Sequence, residues 1–251
     1  DEFIPQSQGG KLPDNLYDII TNPEKQKKLV ILINPPYAEA GDRKTVSGTG
    51  QNKLGVSNTT KIHQETISHI GAAAKELFAQ FMARIYITMP NCTLAIFSKT
   101  KFIQGSNFRD FRKFFKAKYL GGFAVPAYTF DNVTGKFPIT FTIWNCATKE
   151  EIKYVKCDIY DEYGILIGQK IFRTDEGDRI NKWIRDFDDT STACKLGYLN
   201  FAAPDFQNQN YVCIFNDKIE SRLKMQITQN NLIPAAIYFS VRHCIRANWL
   251  N

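Results

Sequence analysis

Leu29-Val30-Ile31-Leu32-Ile33-Asn34-Pro35-Pro36-Tyr37 is the stretch of sequence that decides the fold. Its first five residues form a continuous apolar run rich in β-branched side chains, which is typical of a strand buried on both faces of a parallel sheet. The tetrapeptide Asn34-Pro35-Pro36-Tyr37 follows directly. Since open α/β sheets bind ligands at the carboxyl ends of their strands, the stretch predicts a buried strand with a site at its end.

Helical and extended patterns alternate after this strand. Residues 38–61 are rich in Gly, Ser, Thr and Asn and predict a long loop, whereas residues 64–87 carry apolar side chains at helical spacing. A second buried strand over 93–97 and a Phe-rich helix over 107–118 follow. Residues 123–125 and 137–145 predict two strands joined by a short turn cluster, hence an antiparallel hairpin. The pattern predicts an α/β fold with a mostly parallel sheet and an antiparallel edge.

The pattern of apolar and polar residues changes after Thr148. Residues 153–158 and 164–173 are typical of strands and residues 181–187 of a short helix. We therefore expect a boundary near residue 150. Residues 1–150 belong to the first domain, and residues 151–251 form a smaller additional α+β region.

Composition limits the class of protein. The 251 residues are 43% hydrophobic and 23% charged, and no apolar run is long enough to span a bilayer, so we expect a soluble, cytoplasmic protein without membrane association. The six cysteines include no C-x-x-C pair and no zinc-like spacing with His, which predicts reduced thiols, several of them buried, and no metal site. The net charge of +7 permits a polyanionic partner.

The tetrapeptide suits methyl transfer to an exocyclic amine. Such an amine is a poor nucleophile because its lone pair is delocalised into the ring of the base. The Asn34 side-chain oxygen and the Pro35 carbonyl can accept the two amine hydrogens, and the prolines fix the backbone that carries the carbonyl. Tyr37 supplies a ring face for the base. These features predict Asn34, Pro35, Pro36 and Tyr37 as the catalytic residues.

Residues 29–148 resemble the catalytic half of class I, S-adenosylmethionine-dependent DNA adenine-N6 methyltransferases of bacterial restriction-modification systems. The resemblance covers about half of the chain. It rests on the Asn-Pro-Pro-Tyr strand end, the long helix after it, the Ala95-Ile96-Phe97-Ser98 strand, the Phe-rich helix and the hairpin that ends in Phe141-Thr142-Ile143-Trp144-Asn145. It implies an incomplete Rossmann-like methyltransferase sheet, a bacterial cytoplasmic location and double-stranded DNA as the substrate.

The resemblance also implies roles for individual residues. In that family the last strand carries an aromatic residue that stacks on the flipped base, and Trp144 matches it, beside Tyr37. A flipped base recovers roughly 1–3 kcal/mol by stacking on such a ring. Against this role stands a core tryptophan, because a register shift of one residue turns Trp144 to the other face of the sheet.

The cofactor motifs of the family are missing. Its Gly-rich first turn and two strand-end acidic residues precede the Asn-Pro-Pro-Tyr strand, and none is present here. Gly48-Thr49-Gly50 follows the motif and has no strand before it. We therefore expect Asn34 and Pro35 to form only a rim of the S-adenosylmethionine site. Both ends of the sequence resemble cuts, and the missing N-terminal and C-terminal parts of the same protein are the expected partners.

Basic residues are candidates for DNA contact. Residues 99–118 form the densest basic stretch, and a loop beside the motif carries further cations. The predicted DNA-binding residues are Arg43, Lys44, Lys53, Lys101, Arg109 and Lys113. A solvated amphipathic helix face explains the helical members of this set equally well.

Two other functions are compatible with the sequence. RNA guanine-N2 and protein glutamine-N5 methyltransferases also use Asn-Pro-Pro-Tyr, so the chemistry is more secure than the substrate. A non-catalytic DNA-binding or specificity module of a restriction-modification system would keep the fold without the cofactor. A Gly-rich turn and strand-end acidic residues upstream of Asp1 distinguish an enzyme from such a module.

Overall fold

The computed structural model describes residues 3–36 and 60–251, apart from residues 132, 134, 175, 176, 178, 190, 192, 193, 204, 205 and 207. The helices are α1 (Asp14–Thr21), α2 (Pro23–Gln26), α3 (Lys61–Ile70), α4 (Leu77–Thr88), α5 (Lys101–Gln104), α6 (Arg109–Phe114), α7 (Ile180–Trp183) and α8 (Leu232–His243). The strands are β1 (Val30–Ile33), β2 (Thr93–Lys99), β3 (Ala117–Pro126), β4 (Pro138–Lys149), β5 (Tyr154–Tyr160), β6 (Leu166–Arg173), β7 (Lys195–Phe201), β8 (Val212–Phe215) and β9 (Lys224–Thr228). Short 3-10 helices lie at Gln6–Gln8, Gly71–Lys75, Ser106–Phe108, Ala127–Thr129, Ile184–Phe187 and Gln209–Tyr211.

Six strands form one mixed sheet in the order β1-β2-β4-β3-β5-β6. Strand β1 is parallel to β2 and β3 is parallel to β5, while β4 is antiparallel to both of its neighbours. Strands β1, β2, β3 and β5 therefore run in one direction and end at one edge, which we call the carboxyl edge. The expected α/β class is confirmed. The predicted antiparallel pairing of the strands at 123–125 and 137–145 is also confirmed, as β3 with β4. Its place at the edge was wrong, because β4 inserts between β2 and β3 and the sheet continues through β5 and β6.

The helices are shorter than their periodicity predicts. The helix expected over residues 64–87 is divided into α3 and α4 by the 3-10 helix Gly71–Lys75. Gly71 has φ of 53°, a backbone conformation that a continuous α-helix does not contain, and this interrupts the hydrogen-bond pattern. The Phe-rich helix is likewise reduced to α6 after a 3-10 turn. Within the described part of the chain, no helix combines the length and apolar character needed to cross a membrane.

Aromatic side chains pack against one face of the sheet. Trp144 in β4 is fully buried, and its ring makes edge contacts with Phe102 of α5 and with Phe115, at centroid distances of 5.9 and 5.4 Å. The Trp144 Nε1 donates a hydrogen bond of 2.8 Å to the Thr142 hydroxyl on the same strand face. Phe78 of α4 extends the packing to Phe102. These contacts join α4, α5 and β4 into one core.

The first strand is more exposed than its sequence predicts. Val30 is 63% exposed and Leu32 is 70% exposed, although the apolar run 29–33 is typical of a strand covered on both faces. Among the described residues β1 pairs only with β2, so it forms one end of the sheet. The strand itself was predicted correctly, but its burial was not.

Residues 1–175 and 176–251 form two compact units. The boundary expected near residue 150 lies instead inside the first unit, because β5 pairs with β3 and extends the six-stranded sheet. The second unit contains the antiparallel sheet β8-β7-β9 and the helix α8. Its core includes Leu199 and Tyr238, both with no exposed surface. The strands expected around residues 153–173 are present as β5 and β6.

The burial of Trp144 predicts a large effect on stability. Trp144→Ala should lower the free energy of unfolding of the chain by about 3–5 kcal/mol, because it leaves a cavity lined by phenylalanines. Urea denaturation followed by circular dichroism measures this change. Leu120→Ala is the control, since Leu120 is 53% exposed and should cost no more than about 0.5 kcal/mol. Equal losses in the two variants would contradict a core role for Trp144.

Candidate functional site

The Asn-Pro-Pro sequence leaves the end of β1 at the carboxyl edge. Ile33 pairs with Ile96 of β2, so Asn34 lies level with Phe97, the next residue of β2. Asn34 is exposed, Pro35 is buried and Pro36 is exposed. Two consecutive prolines fix φ and give this backbone little freedom. Asn34 therefore lies just past the end of β1 with an exposed side chain, and the prolines restrict the backbone that follows it. Tyr37 lies outside the described residues.

Partly buried aromatic side chains gather near the same edge. We call this set the edge aromatic cluster, and its members are Phe97, Phe123, Phe130, Phe137, Phe141 and Tyr160. The Phe97 ring lies 4.8 Å from that of Phe141 and 5.6 Å from that of Phe130, measured between centroids. Phe123 continues the row to Tyr160 at 5.9 Å. Phe97 brings the cluster to the level of Asn34.

Trp144 does not belong to this edge. It pairs with Leu94, three residues before Phe97, which places it about 10 Å from the level of Asn34 along the strand. Its side chain is fully buried, and the rings of Phe102, Phe115 and Tyr119 surround it. A base has no free face of this ring on which to stack. The prediction of Trp144 as a stacking residue is therefore wrong, and the alternative of a core tryptophan describes it.

A buried carboxylate holds two lysines at the carboxyl edge. Glu76, at the start of α4, is 6% exposed, and its Oε1 lies 2.7 Å from the Lys101 ammonium. The second oxygen lies 3.6 Å from the Lys99 ammonium. Lys99 ends β2, two residues beyond Phe97. The ion cluster thus lies at the carboxyl edge of the sheet. No local sequence pattern indicates this role of Glu76, because Glu76 precedes its partners by more than twenty residues.

The other predicted DNA-binding residues divide into two groups. Arg109 and Lys113 are exposed on α6, whereas Phe108 and Phe111 are buried. Neighbouring Arg112 instead serves the fold, since it donates to the Phe102 and Gly105 carbonyls at 3.2 and 2.9 Å. Arg43, Lys44 and Lys53 lie outside the described residues. The structure therefore leaves Lys101, Arg109 and Lys113 as described cationic candidates.

A cleft of about 390 Å³ lies at the opposite edge of the sheet, where β3 begins and β4 ends. Trp144 and Tyr119 line it, although Trp144 exposes no surface to solvent. Tyr119 donates a hydrogen bond of 2.6 Å to the Lys156 carbonyl. Burial raises the pKa of Tyr119 above its usual range, which keeps the hydroxyl neutral. Burial likewise raises the pKa of Cys157 to about 11. These groups act as structural bridges rather than as acids or bases near neutral pH.

The described residues do not assemble a complete cofactor or metal site. No group of three or more His, Cys, Asp or Glu in this part of the chain is placed to hold a metal ion. At the carboxyl edge, Asn34 and Pro35 offer an amide and a carbonyl. The Gly48-Thr49-Gly50 turn lies outside the described residues.

Comparison with solved structures gives a structural likeness, whereas comparison with protein families and curated proteins does not. No family model matches the chain, and no curated protein matches it. Among solved structures, the chain is similar to an ATP-dependent Type ISP restriction-modification enzyme, LlaBIII, bound to DNA. The match has 14% identity and a TM-score of 0.40, and it covers 80% of this chain. The chain spans 16% of the length of that enzyme.

The ion cluster predicts a measurable loss on neutralisation. Glu76→Gln should lower the free energy of unfolding by about 1–3 kcal/mol, since the Lys99 side chain, 16% exposed, loses a charged partner. The loss should fall below the roughly 3–5 kcal/mol of a fully buried pair, because the Lys101 side chain is 48% exposed.

Glu65→Gln is the matched control for this change. Glu65 pairs with Arg84 at 3.3 Å, and its own side chain is 45% exposed. An exposed pair of this kind contributes about 0–1 kcal/mol. Urea denaturation of both variants in 0.1 and 0.5 M salt separates the two cases. A loss in Glu76→Gln no greater than that in Glu65→Gln would show that the buried cluster adds nothing.

Proposed function

We propose that this chain is the base-receiving part of an S-adenosylmethionine-dependent, site-specific DNA adenine-N6 methyltransferase of a restriction-modification system. One observation carries the proposal: the exposed Asn34 and the rigid Asn-Pro-Pro backbone stand at the carboxyl end of β1, level with the aromatic Phe97. An amide oxygen, a fixed carbonyl and an aromatic ring meet the needs of a flipped adenine.

The residues of the chain act on the amine of the target base. The Asn34 side-chain oxygen accepts one amine hydrogen and the Pro35 carbonyl accepts the other, which draws the nitrogen out of conjugation with the ring. The lone pair then points away from the two acceptors, toward the methyl donor. Because Pro35 and Pro36 fix the backbone, little reorganisation is needed when charge develops. S-adenosylmethionine supplies the electrophilic methyl group when it is bound.

We propose that further polypeptide beside β1 holds the cofactor. Support comes from the exposed Val30 and Leu32, since strands of this composition in parallel sheets are normally covered on both faces. An additional strand paired with β1 would bring its own carboxyl end next to Asn34. The amide and carbonyl present here then need to form only one wall of the pocket. We assign no step of the reaction to contacts between this chain and the cofactor.

We assign the aromatic platform to the edge aromatic cluster and Tyr37. The assignment replaces Trp144, whose ring is fully buried. Phe97 lies level with Asn34, and the rings of Phe130 and Phe141 support it from two sides. A ring fixed in this way loses little side-chain entropy when a base stacks on it. Stacking of this kind contributes roughly 1–3 kcal/mol per base.

We assign contacts with the DNA backbone to Lys101, Arg109 and Lys113. Lys101 lies just beyond β2 at the carboxyl edge, and α6 begins with the exposed Arg109. Phosphate contacts from such cations give affinity without sequence information. Sequence recognition then belongs to other elements of the protein. The net charge of +7 supports a polyanionic partner.

A second candidate is a DNA-binding or specificity module without catalysis. It is favoured by the small number of polar groups at the carboxyl edge, where among the described residues we assign only Asn34 and Pro35 to the rim of the cofactor pocket. The two candidates differ in one respect that can be measured. If the chain is part of the active site, methyl transfer appears when the rest of the protein is supplied. If the chain is a specificity module, it binds DNA whether or not the rest of the protein is present.

The 251-residue chain alone should show neither methyl transfer nor tight cofactor binding. Tritium transfer from S-adenosylmethionine to genomic DNA should stay at background, and calorimetry should give a dissociation constant weaker than about 1 mM, corresponding to less than about 4 kcal/mol. The physical reason is that, among the described residues, we assign only Asn34 and Pro35 to the rim of the cofactor pocket. Turnover or micromolar binding by this chain alone would overturn the division of labour proposed here.

Asn34→Ala should abolish transfer in the full-length protein. Loss of one preorganised hydrogen-bond partner of the reacting group typically costs 10²–10³-fold in rate, and affinity for DNA should stay within about threefold. Single-turnover methylation and fluorescence anisotropy measure the two quantities. Asn216→Ala, a change at an exposed asparagine of the second unit, is the control and should keep wild-type activity. Full activity in Asn34→Ala would remove the proposed role of this residue.

A further inference from the structure

Two cysteines lie opposite each other where the pairing of β2 with β4 ends. Thr93, the first residue of β2, pairs with Asn145 of the antiparallel β4, so the preceding Cys92 lies opposite Cys146. The Cys146 N–H donates to the Cys92 carbonyl at 3.0 Å, which fixes this register. Directly opposite residues of antiparallel strands project their side chains from the same face. The two thiols therefore leave the ladder side by side.

The backbone geometry of this pair suits a disulfide. Residues joined in this way by a backbone hydrogen bond have Cα atoms about 5.5 Å apart. A disulfide spans Cα separations of roughly 4.4–6.8 Å. Cys92 and Cys146 can therefore be bridged without displacement of either strand.

The two thiols also influence each other chemically. Both cysteines are fully buried. The hydrogen bond with the Cys146 thiol lowers the pKa of Cys92, whereas the same hydrogen bond and burial raise the pKa of Cys146. Because the thiolate is the form that reacts with oxidants, Cys92 is the thiol of the pair that reacts first.

The position of the pair gives an oxidant a route to the sulfur atoms. Cys92 comes just before the first residue of β2, so the pair closes the end of the β2–β4 ladder. The ends of such ladders open locally at a smaller free-energy cost than their centres. Hydrogen peroxide is small and uncharged and needs only a local opening.

We propose that Cys92 and Cys146 form an oxidative modification site, at which hydrogen peroxide closes a disulfide between β2 and β4. The Cys92 thiolate attacks the O–O bond of the peroxide, becomes a sulfenic acid and releases hydroxide, which takes up the proton lost by the thiol. The Cys146 sulfur then attacks the Cys92 sulfur, and the sulfenic oxygen leaves with the Cys146 proton as water. Two thiols and one peroxide thus give one disulfide and two water molecules. This inference does not depend on the proposed methyl transfer.

Cys157 is a matched control within the same chain. It is also fully buried, but it pairs with Lys170 of β6 rather than with a cysteine. The Tyr119 hydroxyl lies 3.7 Å from its sulfur. Burial without a neighbouring thiol should leave Cys157 reduced under the same treatment.

Peptide mass spectrometry of the 251-residue chain tests the proposal. The more accessible thiols of the reduced, folded chain, Cys194, Cys213 and Cys244, are first blocked with iodoacetamide. The chain is then treated with hydrogen peroxide and denatured in N-ethylmaleimide before digestion. The peptides of Cys92 and Cys146 should be joined by a disulfide, and their free thiols should disappear at least about tenfold faster than that of Cys157.

Two variants and the wild-type chain separate the possible outcomes. Cys157→Ser should form the same disulfide, whereas Cys146→Ser should form none, and circular dichroism checks that each variant is folded. The comparison with Cys157 in the wild-type chain requires no substitution. Free Cys92 and Cys146 at a peroxide concentration that oxidises the unblocked Cys194 would overturn the proposal. Oxidation of Cys157 at an equal rate, or its linkage to either of the other two cysteines, would also overturn it.

Discussion

The antiparallel pairing of β4 with both β2 and β3 is the constraint on which the rest of the first unit depends. Because β4 lies between them, β2 and β3 run in the same direction, and so do β1 and β5. Four strand ends therefore meet at one edge. The side-chain alternation of β4 has a second effect, since it directs Trp144 into the helical core and Phe141 to the opposite face. The two faces of β4 therefore separate the edge aromatic cluster from the helical core.

This alternation explains which parts of the site could be predicted. The apolar run of β1 and the Asn-Pro-Pro segment are contiguous in sequence, so local patterns were sufficient to place Asn34 at a strand end. Trp144 is a different case, because a single residue of register decides between the core and the opposite face. Both faces of this strand mix apolar and polar side chains, with Thr142 on the face of Trp144 and Asn145 on the other, so no local signal separates them. Only the packing of Phe102 and Phe115 does so.

Features built from distant residues were beyond local patterns. The edge aromatic cluster combines side chains from β2, β3, β4 and β5 with residues of the β3–β4 connection, and each one alone is an ordinary strand or loop residue. The Glu76 carboxylate meets Lys99 and Lys101 only after α4 has packed beside β2. The boundary between the two units was predicted at a different residue for the same reason. Strand β5 has a turn-rich sequence before it, yet it pairs with β3 and continues the same sheet.

The two ends of the sheet have different physical requirements. At β1 the prolines that follow the strand lack N–H groups, and Lys28 and Lys27 lie two and three residues before Val30. An antiparallel copy of β1 would therefore meet neither hydrogen-bond donors nor opposite charge at its ends. This edge suits a parallel strand, which needs a crossover within the same polypeptide. At β6 the sheet ends in an antiparallel hairpin whose register shifts between Ile159 and Tyr160. Because such a bulge interrupts regular pairing, a further strand can extend the sheet at β1 more readily than at β6.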